Sequence, residues 1–262
     1  MPYRLRRRYL RASFYSRPKL SKLLALLLSS IGVLQSSSVE AQYTPSVTNQ
    51  TVSNQVVSSG TQTVGTSGIT ISGVVKGSGR QLISSGGLAS ATQVSSGGIQ
   101  TIFTGGSARD TQISSGGIQY LSSGGVTTDT QVNSGGTLHL RGGVASATQV
   151  SGVEYVSSGG SDSAANINSG ALQFIYSGGM TSGAIVKSGG VQRVSSGGVA
   201  TAALISLGGL QQVSSGGSAN DAQIYGAQYV YSGGRVSSTQ INIGGVQYIS
   251  SGGLASATNV IS

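Results

Sequence analysis

A single stretch, Ser84–Phe103 (SSGGLASATQV followed by SSGGIQTIF), recurs with small edits from residue 80 to residue 262. A chain written this way stacks copies of one unit, because no copy can bury its own apolar face alone. Two half-units alternate. The longer is an SGG turn followed by seven residues; the shorter is an SGG turn followed by four, with a Ser-rich lead into the next turn. The turn glycines Gly86, Gly105, Gly124, Gly142, Gly159, Gly178, Gly197, Gly216, Gly233 and Gly252 mark a period of 17 to 19 residues.

The slot that closes the longer half-unit holds only β-branched aliphatics: Val94, Ile113, Val132, Val150, Ile167, Val186, Ile205, Ile224, Ile241 and Val260. Such side chains are stiff at χ1 and suit a half-buried pleated surface. The fourth slot of the shorter half-unit is also aliphatic, from Ile83 and Ile102 to Val230 and Ile249. Between these ladders, the third slot accepts Leu82, Thr101, Tyr120, His139, Tyr155, Phe174, Arg193, Gln212, Tyr229 and Tyr248, which marks it as outward-facing. The second slot is Gln in eight of ten copies and shares the parity of the aliphatic ladder. It reads as an inward amide ladder, hydrogen-bonded from coil to coil as in stacked in-register sheets.

Segments of four to seven residues between Gly-Gly pairs are too short to nucleate helices, and glycine opposes them. They read as short strands joined by turns that need positive φ. The fold class expected is all-β: a single-stranded parallel β-helix (β-solenoid) with about 19 residues per coil, three strands and three corners. Its right-handed sense is expected from the rule for parallel crossovers. Coils about 4.8 Å apart would make a rod of roughly 50–60 Å.

Net charge is +9, but eight of the fifteen basic residues precede residue 23. Beyond Ala41, seven basic residues face five acids (Asp110, Asp129, Glu154, Asp162 and Asp221), a net charge of +2. That near-neutral remainder gives no phosphate-binding surface and excludes nucleic acid as a partner. The basic head precedes the apolar run Leu23–Leu34 and small residues up to Ala41. Residues 1–41 are therefore expected to be a signal peptide cut between Ala41 and Gln42. The apolar run is short for a bilayer, so no membrane span is expected in the processed chain. Arg6-Arg7-Arg8 loosely fits a twin-arginine signal, but its distance from the apolar run favours the general export route. The absence of cysteine suits export and excludes Cys-based zinc sites, Cys nucleophiles and disulfides. Residues 42–50 are expected to form a flexible lead and residues 51–79 degenerate N-terminal cap coils, before a solenoid of about ten repeats over 80–262. The sequence stops at Ser262, just after the last ladder residue and without a polar cap, so an open strand edge is expected there, either covered by something else or continued by architecture beyond this chain.

The alternating SSGG-x-A-x-x-T-Q-V and SSGG-x-Q-x-V units, best seen in Gly87–Val94, Gly98–Ile102 and Gly253–Val260, resemble the AIDA-type repeat of bacterial autotransporter passengers. The resemblance implies a right-handed β-helix displayed at the cell surface, extracellularly or in the periplasm, acting in adhesion, autoaggregation or biofilm formation. It implies O-linked heptose on turn serines, added by a dedicated O-heptosyltransferase. The matching serines are Ser85, Ser96, Ser115, Ser123, Ser134, Ser158, Ser177, Ser188, Ser196, Ser215, Ser232 and Ser251. The family's C-terminal translocator barrel has no counterpart in the sequence.

Chemistry offers weaker alternatives. A β-helix carbohydrate-active enzyme needs clustered acids in a groove built by long loops, and no insertion interrupts the period. His139, the single histidine, sits in the outward slot, away from Asp129 on the other half-unit, so no Ser-His-Asp relay is expected. No catalytic, cofactor or metal residues are assigned, although Asp110 and Asp129 align one period apart where a calcium ion could bridge them. Tyr120, Tyr155, Phe174, Tyr229 and Tyr248 form an outward aromatic column whose stacking is expected to support the sheet, with contact to a sugar or a partner chain as the alternative. A glycine-rich extracellular structural protein is the remaining alternative; an ice-binding rod fits less, because Thr92, Thr111, Thr130 and Thr148 give way to Ala165, Ala184, Ala203 and Ala222. The expected function is a non-enzymatic adhesin-like passenger that self-associates through the solenoid side. A host-cell or matrix receptor or glycan is its expected partner.

Overall fold

The computed structural model describes residues 43–261; the expected signal peptide and its Ala41/Gln42 cleavage point lie outside the described residues. Every coil repeats three strands, as in Ile99–Ile102, Ser107–Arg109 and Gln112–Ile113. Equivalent strands of successive coils pair in parallel, giving three sheets of twelve strands each. Among the described residues there is no helix, and hence none long and apolar enough to cross a membrane.

Pairing is in register: Gln100 lies opposite Gln81 and Gln119, Ile102 opposite Ile83 and Leu121, and Ile113 opposite Val94 and Val132. Register follows from the period-two pattern, since a one-residue slip would turn every aliphatic outward. Both ladders are inward: Ile83, Ile102, Leu121, Leu140, Val156 and Ile175 are fully buried, as are Val94, Ile113, Val132 and Val150. Full burial of each such side chain contributes about 1.5–3 kcal/mol, so the two columns supply most of the driving force.

The turn Phe103–Gly106 shows why glycines come in pairs. Gly105 has φ +73°, where a Cβ is strained. Gly106 has ordinary φ, but a Cβ there would lie 2.6 Å from the Ile83 carbonyl oxygen of the coil below. The first glycine serves conformation and the second serves close approach between coils.

Variation in period is absorbed at corners, leaving the strands intact. The corner Ser122–Gly125 becomes Arg141–Gly143 in the next coil, and Asn133–Gly136 becomes Ser151–Gly152. Val126 still pairs with Val144, and Thr137 with Val153.

The ladder also starts earlier than the repeat suggests. Ser46–Val47, inside the expected flexible lead, pairs with the strand Thr61–Val64. Strands between 51 and 79, the expected cap coils, pair in the same register as later ones. Inward parity, carried by Val47, Val57, Val64 and Val75, is enough to join the stack without the SSGG consensus.

The threonine column faces the core. Thr92, Thr111, Thr130 and Thr148 are fully buried, and Ala165, Ala184, Ala203 and Ala222 continue the column. A buried hydroxyl column presents nothing to ice, and Thr-for-Ala exchange along it is a matter of core packing.

Candidate functional surface

All twelve expected serines are exposed and occupy the second position of a four-residue turn. They fall into two columns. Ser85, Ser123, Ser158, Ser177, Ser196, Ser215, Ser232 and Ser251 lie between the first and second sheets. Ser96, Ser115, Ser134 and Ser188 lie between the third and first. In most turns only the following glycine has positive φ, as in a type II turn; Ser85–Gly86 is one example. At Ser96, Ser158, Ser196 and Ser215 both residues have positive φ, the arrangement of a type I′ turn. Thr104 and Ser169 occupy the same turn position and are equally exposed. Sequence reasoning missed them, because one turn reads TGG and the other, Asn168–Ala171, replaces the second glycine with alanine. Leu207 and Ile243 interrupt the second column with apolar side chains about three-quarters exposed (76% and 77%).

The aromatic column is brought together as a stack. Ring centroids of Tyr120, His139, Tyr155 and Phe174 follow at 4.8, 4.8 and 5.1 Å, with planes within 14° of parallel. Arg141 lies over the Tyr120 ring and Arg193 over the Phe174 ring, each guanidinium carbon 5.5 Å from the centroid. Tyr229 and Tyr248 form a second stack at 4.8 Å. The interior faces of the first stack are thus occupied by neighbouring rings and its ends by cations. What it offers outward is ring edges and tyrosine hydroxyls.

Asp110, Asp129 and Asp221 are exposed at the corner between the second and third sheets, with φ of 53°, 53° and 54°. Their shared slot is a left-handed corner, which aspartate tolerates better than most residues. Backbone conformation alone therefore accounts for their alignment. No group of three or more metal-ligating side chains occurs among the described residues.

Two acids that entered the sequence reasoning only through the net charge are buried. Glu154 is fully buried in the amide-ladder slot and Asp162 is 1% exposed in a slot that usually holds alanine. Slot parity was the available signal: Glu154 is one of two departures from Gln in that column. A shallow groove of about 440 Å³ on the outer face of the second sheet is lined by Ser218, Asn220, Arg235, Ser237, Leu254 and Ser256. It brings together no pair of acids.

No curated protein matches the chain in sequence. The family model described as the adhesin of bacterial autotransporter system, probable stalk, matches residues 79–136. The crystal structure of a TibC-catalysed, hyper-glycosylated TibA fragment superposes with a TM-score of 0.60 at 33% identity, covering 82% of this chain and 97% of the other. The chain belongs to the AIDA family of autotransporter adhesin stalks. The segment of this AIDA stalk that the family model matches carries Ser85, Ser96, Ser115, Ser123 and Ser134 at exposed turns, with Thr104 in the turn between Ser96 and Ser115. Its three-sheet rod is of the adhesin-passenger type, and its exposed hydroxyls are carried on a backbone whose turn positions repeat from coil to coil.

Proposed function

We propose that this stalk is a non-enzymatic, exported passenger that acts at the bacterial surface in adhesion, autoaggregation or biofilm formation, with O-linked heptose on its turn serines. The observation that carries the proposal is the pair of serine columns. Each hydroxyl is exposed, each sits at one turn position, and the glycosylated TibA fragment shares the scaffold. A transferase that recognises an exposed hydroxyl at this turn position meets it again along each column, on two turn geometries. Side-by-side contact between rods would add many weak polar contacts, and the low charge leaves little repulsion to oppose them. A receptor or glycan on a host cell or matrix would meet the same rod faces.

Intact mass of the exported protein, with and without a co-expressed O-heptosyltransferase, tests the modification. Heptose-sized increments that fall away when the turn serines become alanine support it. Settling of cells that display the protein tests the association. An unmodified mass together with unchanged settling would overturn the proposal.

A further inference from the structure

Inside the rod, one coil departs from a neutral core. Buried polar side chains elsewhere are Gln, Thr, Ser or Asn, and no Lys, Arg or His is buried among the described residues. Glu154 accepts a hydrogen bond from Gln173 Nε2 at 2.8 Å, and its rung neighbour on the other side is Leu138. Asp162 has Ala145 and Thr181 as rung neighbours and faces Glu154 across the core. Glu154 Oε1, both Asp162 oxygens and the nearby Thr148 Oγ1 make no hydrogen bond of good geometry, although Glu154, Thr148 and the Ser163 backbone all lie close enough to Asp162 to act on its carboxyl.

All three carboxyl oxygens are acceptors, and no buried cation is at hand to pair with them. Two carboxylates in contact at low dielectric do not both ionise, because repulsion adds to the desolvation of each. One proton resolves the arrangement: on Glu154 it turns Oε1 into a donor aimed at Asp162. We propose that Glu154 and Asp162 share one proton from solvent at neutral pH and take up a second on acidification, so that this coil is held more firmly in acid.

The electrostatic directions agree. Burial, then the charge of Asp162, pushes the Glu154 carboxyl well above its ordinary value. Burial raises Asp162 too, against the opposing pull of Glu154, Thr148 and the Ser163 backbone. A carboxyl raised in the folded state binds its proton more tightly there than when unfolded. Its stabilising effect is complete below the unfolded value and is lost as pH rises through the folded one. The two titrate as a pair. Strands packed against them, Val144–Ser146, Gln149–Val150, Asn166–Ile167, Leu172–Ile175 and Met180–Ser182, carry no titratable side chain. The strand Thr137–Arg141 carries His139 and Arg141, both on its outer side.

Urea unfolding of the exported chain at about pH 4 and about pH 8, on either side of the ordinary carboxylate range, tests this with Glu154→Gln/Asp162→Ala, which restores the residues usual at both slots. Differences between wild type and variant cancel every other titration. Wild type should gain on the variant as pH falls, the ratio of unfolding constants changing about tenfold per unit by which the folded pair is raised. A pH-independent difference overturns the proposal. So does selective stabilisation of wild type by calcium or magnesium at neutral pH, which would mean that a cation, and no proton, bridges the pair. Should the variant not fold, infrared spectroscopy of wild type at neutral pH decides. A protonated-carboxyl stretch, shifted on exchange into deuterium oxide, supports the proposal, and its absence overturns it.

Discussion

Ser188 lies one coil below Gly208, and its hydroxyl fills the space that a side chain at Gly208 would need: a Cβ there would come 2.6 Å from Ser188 Oγ. Gly208 also has φ +77°. Gly208→Ala is therefore expected to cost about 1–2 kcal/mol for the left-handed backbone and more for displacing the serine. In a Ser188→Ala background the hydroxyl clash is removed and only the 3.2 Å approach to the residue-188 Cβ is left, so a double-mutant cycle should show a coupling of about 0.5–1 kcal/mol. If Ser188 carries a sugar, mass mapping should show that site losing occupancy in Gly208→Ala while Ser177 keeps it.

The amide ladder gives the second prediction. Gln192 Nε2 donates to Gln173 Oε1 at 2.8 Å, and Gln192 Oε1 accepts from Gln211 Nε2 at 2.7 Å, all fully buried. Gln192→Ala strands the Gln173 acceptor and the Gln211 donor, each costing about 1–3 kcal/mol when left unsatisfied in the core, and also removes the longer 3.4 Å bond from Gln192 Nε2 to Thr181 Oγ1. Because solenoid coils couple mainly to their neighbours, the loss should be local. Hydrogen exchange should accelerate in Leu172–Ile175 and Leu210–Val213 and be unchanged in Thr61–Val64. The natural break at Leu138 is milder, since it strands only Gln119 Oε1.

Much of this was legible in the sequence for a specific reason. Val94 and its equivalents are all β-branched aliphatics, and Gln100 shares the parity of Ile102, so sheet side, register and amide ladder all followed from periods of 2 and 19. Corners were less legible. Ala91, Ala147 and Ala202 have positive φ, and nothing about alanine announces that; Gly183 at the same corner was the available hint. Glu154 and Asp162 were missed because a charge invites assignment to the surface, although their slots are inward. Orientation of the aromatic rings was hidden for another reason: residue type shows which ring is outward, but only the coil spacing shows that its faces are already taken.

That corner supplies a third prediction. Ala202 has φ 52°, and its N–H donates to the Asn220 carbonyl at 2.9 Å. Relief of left-handed strain by Ala202→Gly is worth about 1–2 kcal/mol, less about 0.5–1 for the greater freedom of glycine when unfolded. A small net gain in stability is expected, visible as a higher urea midpoint. Ala202→Val should move the midpoint the other way, since a β-branched side chain is least tolerated at positive φ.

His139 titrates in the opposite sense to the buried acids. Half-burial in the ring stack, and then the charge of Arg141, hold its imidazole below the ordinary value of 6.5. The unfolded chain therefore binds this proton more readily, so the histidine's contribution is intact above the ordinary value and is lost as pH falls below it. His139→Tyr would match Tyr120 and Tyr155 on either side and remove the titration. Between about pH 7 and pH 5, around the ordinary histidine range, wild type should lose stability relative to His139→Tyr, while it gains relative to Glu154→Gln/Asp162→Ala. Measuring both variants over one pH series separates the two groups by the sign of their slopes. A wild type that held constant against His139→Tyr would show that protonation leaves the stack undisturbed.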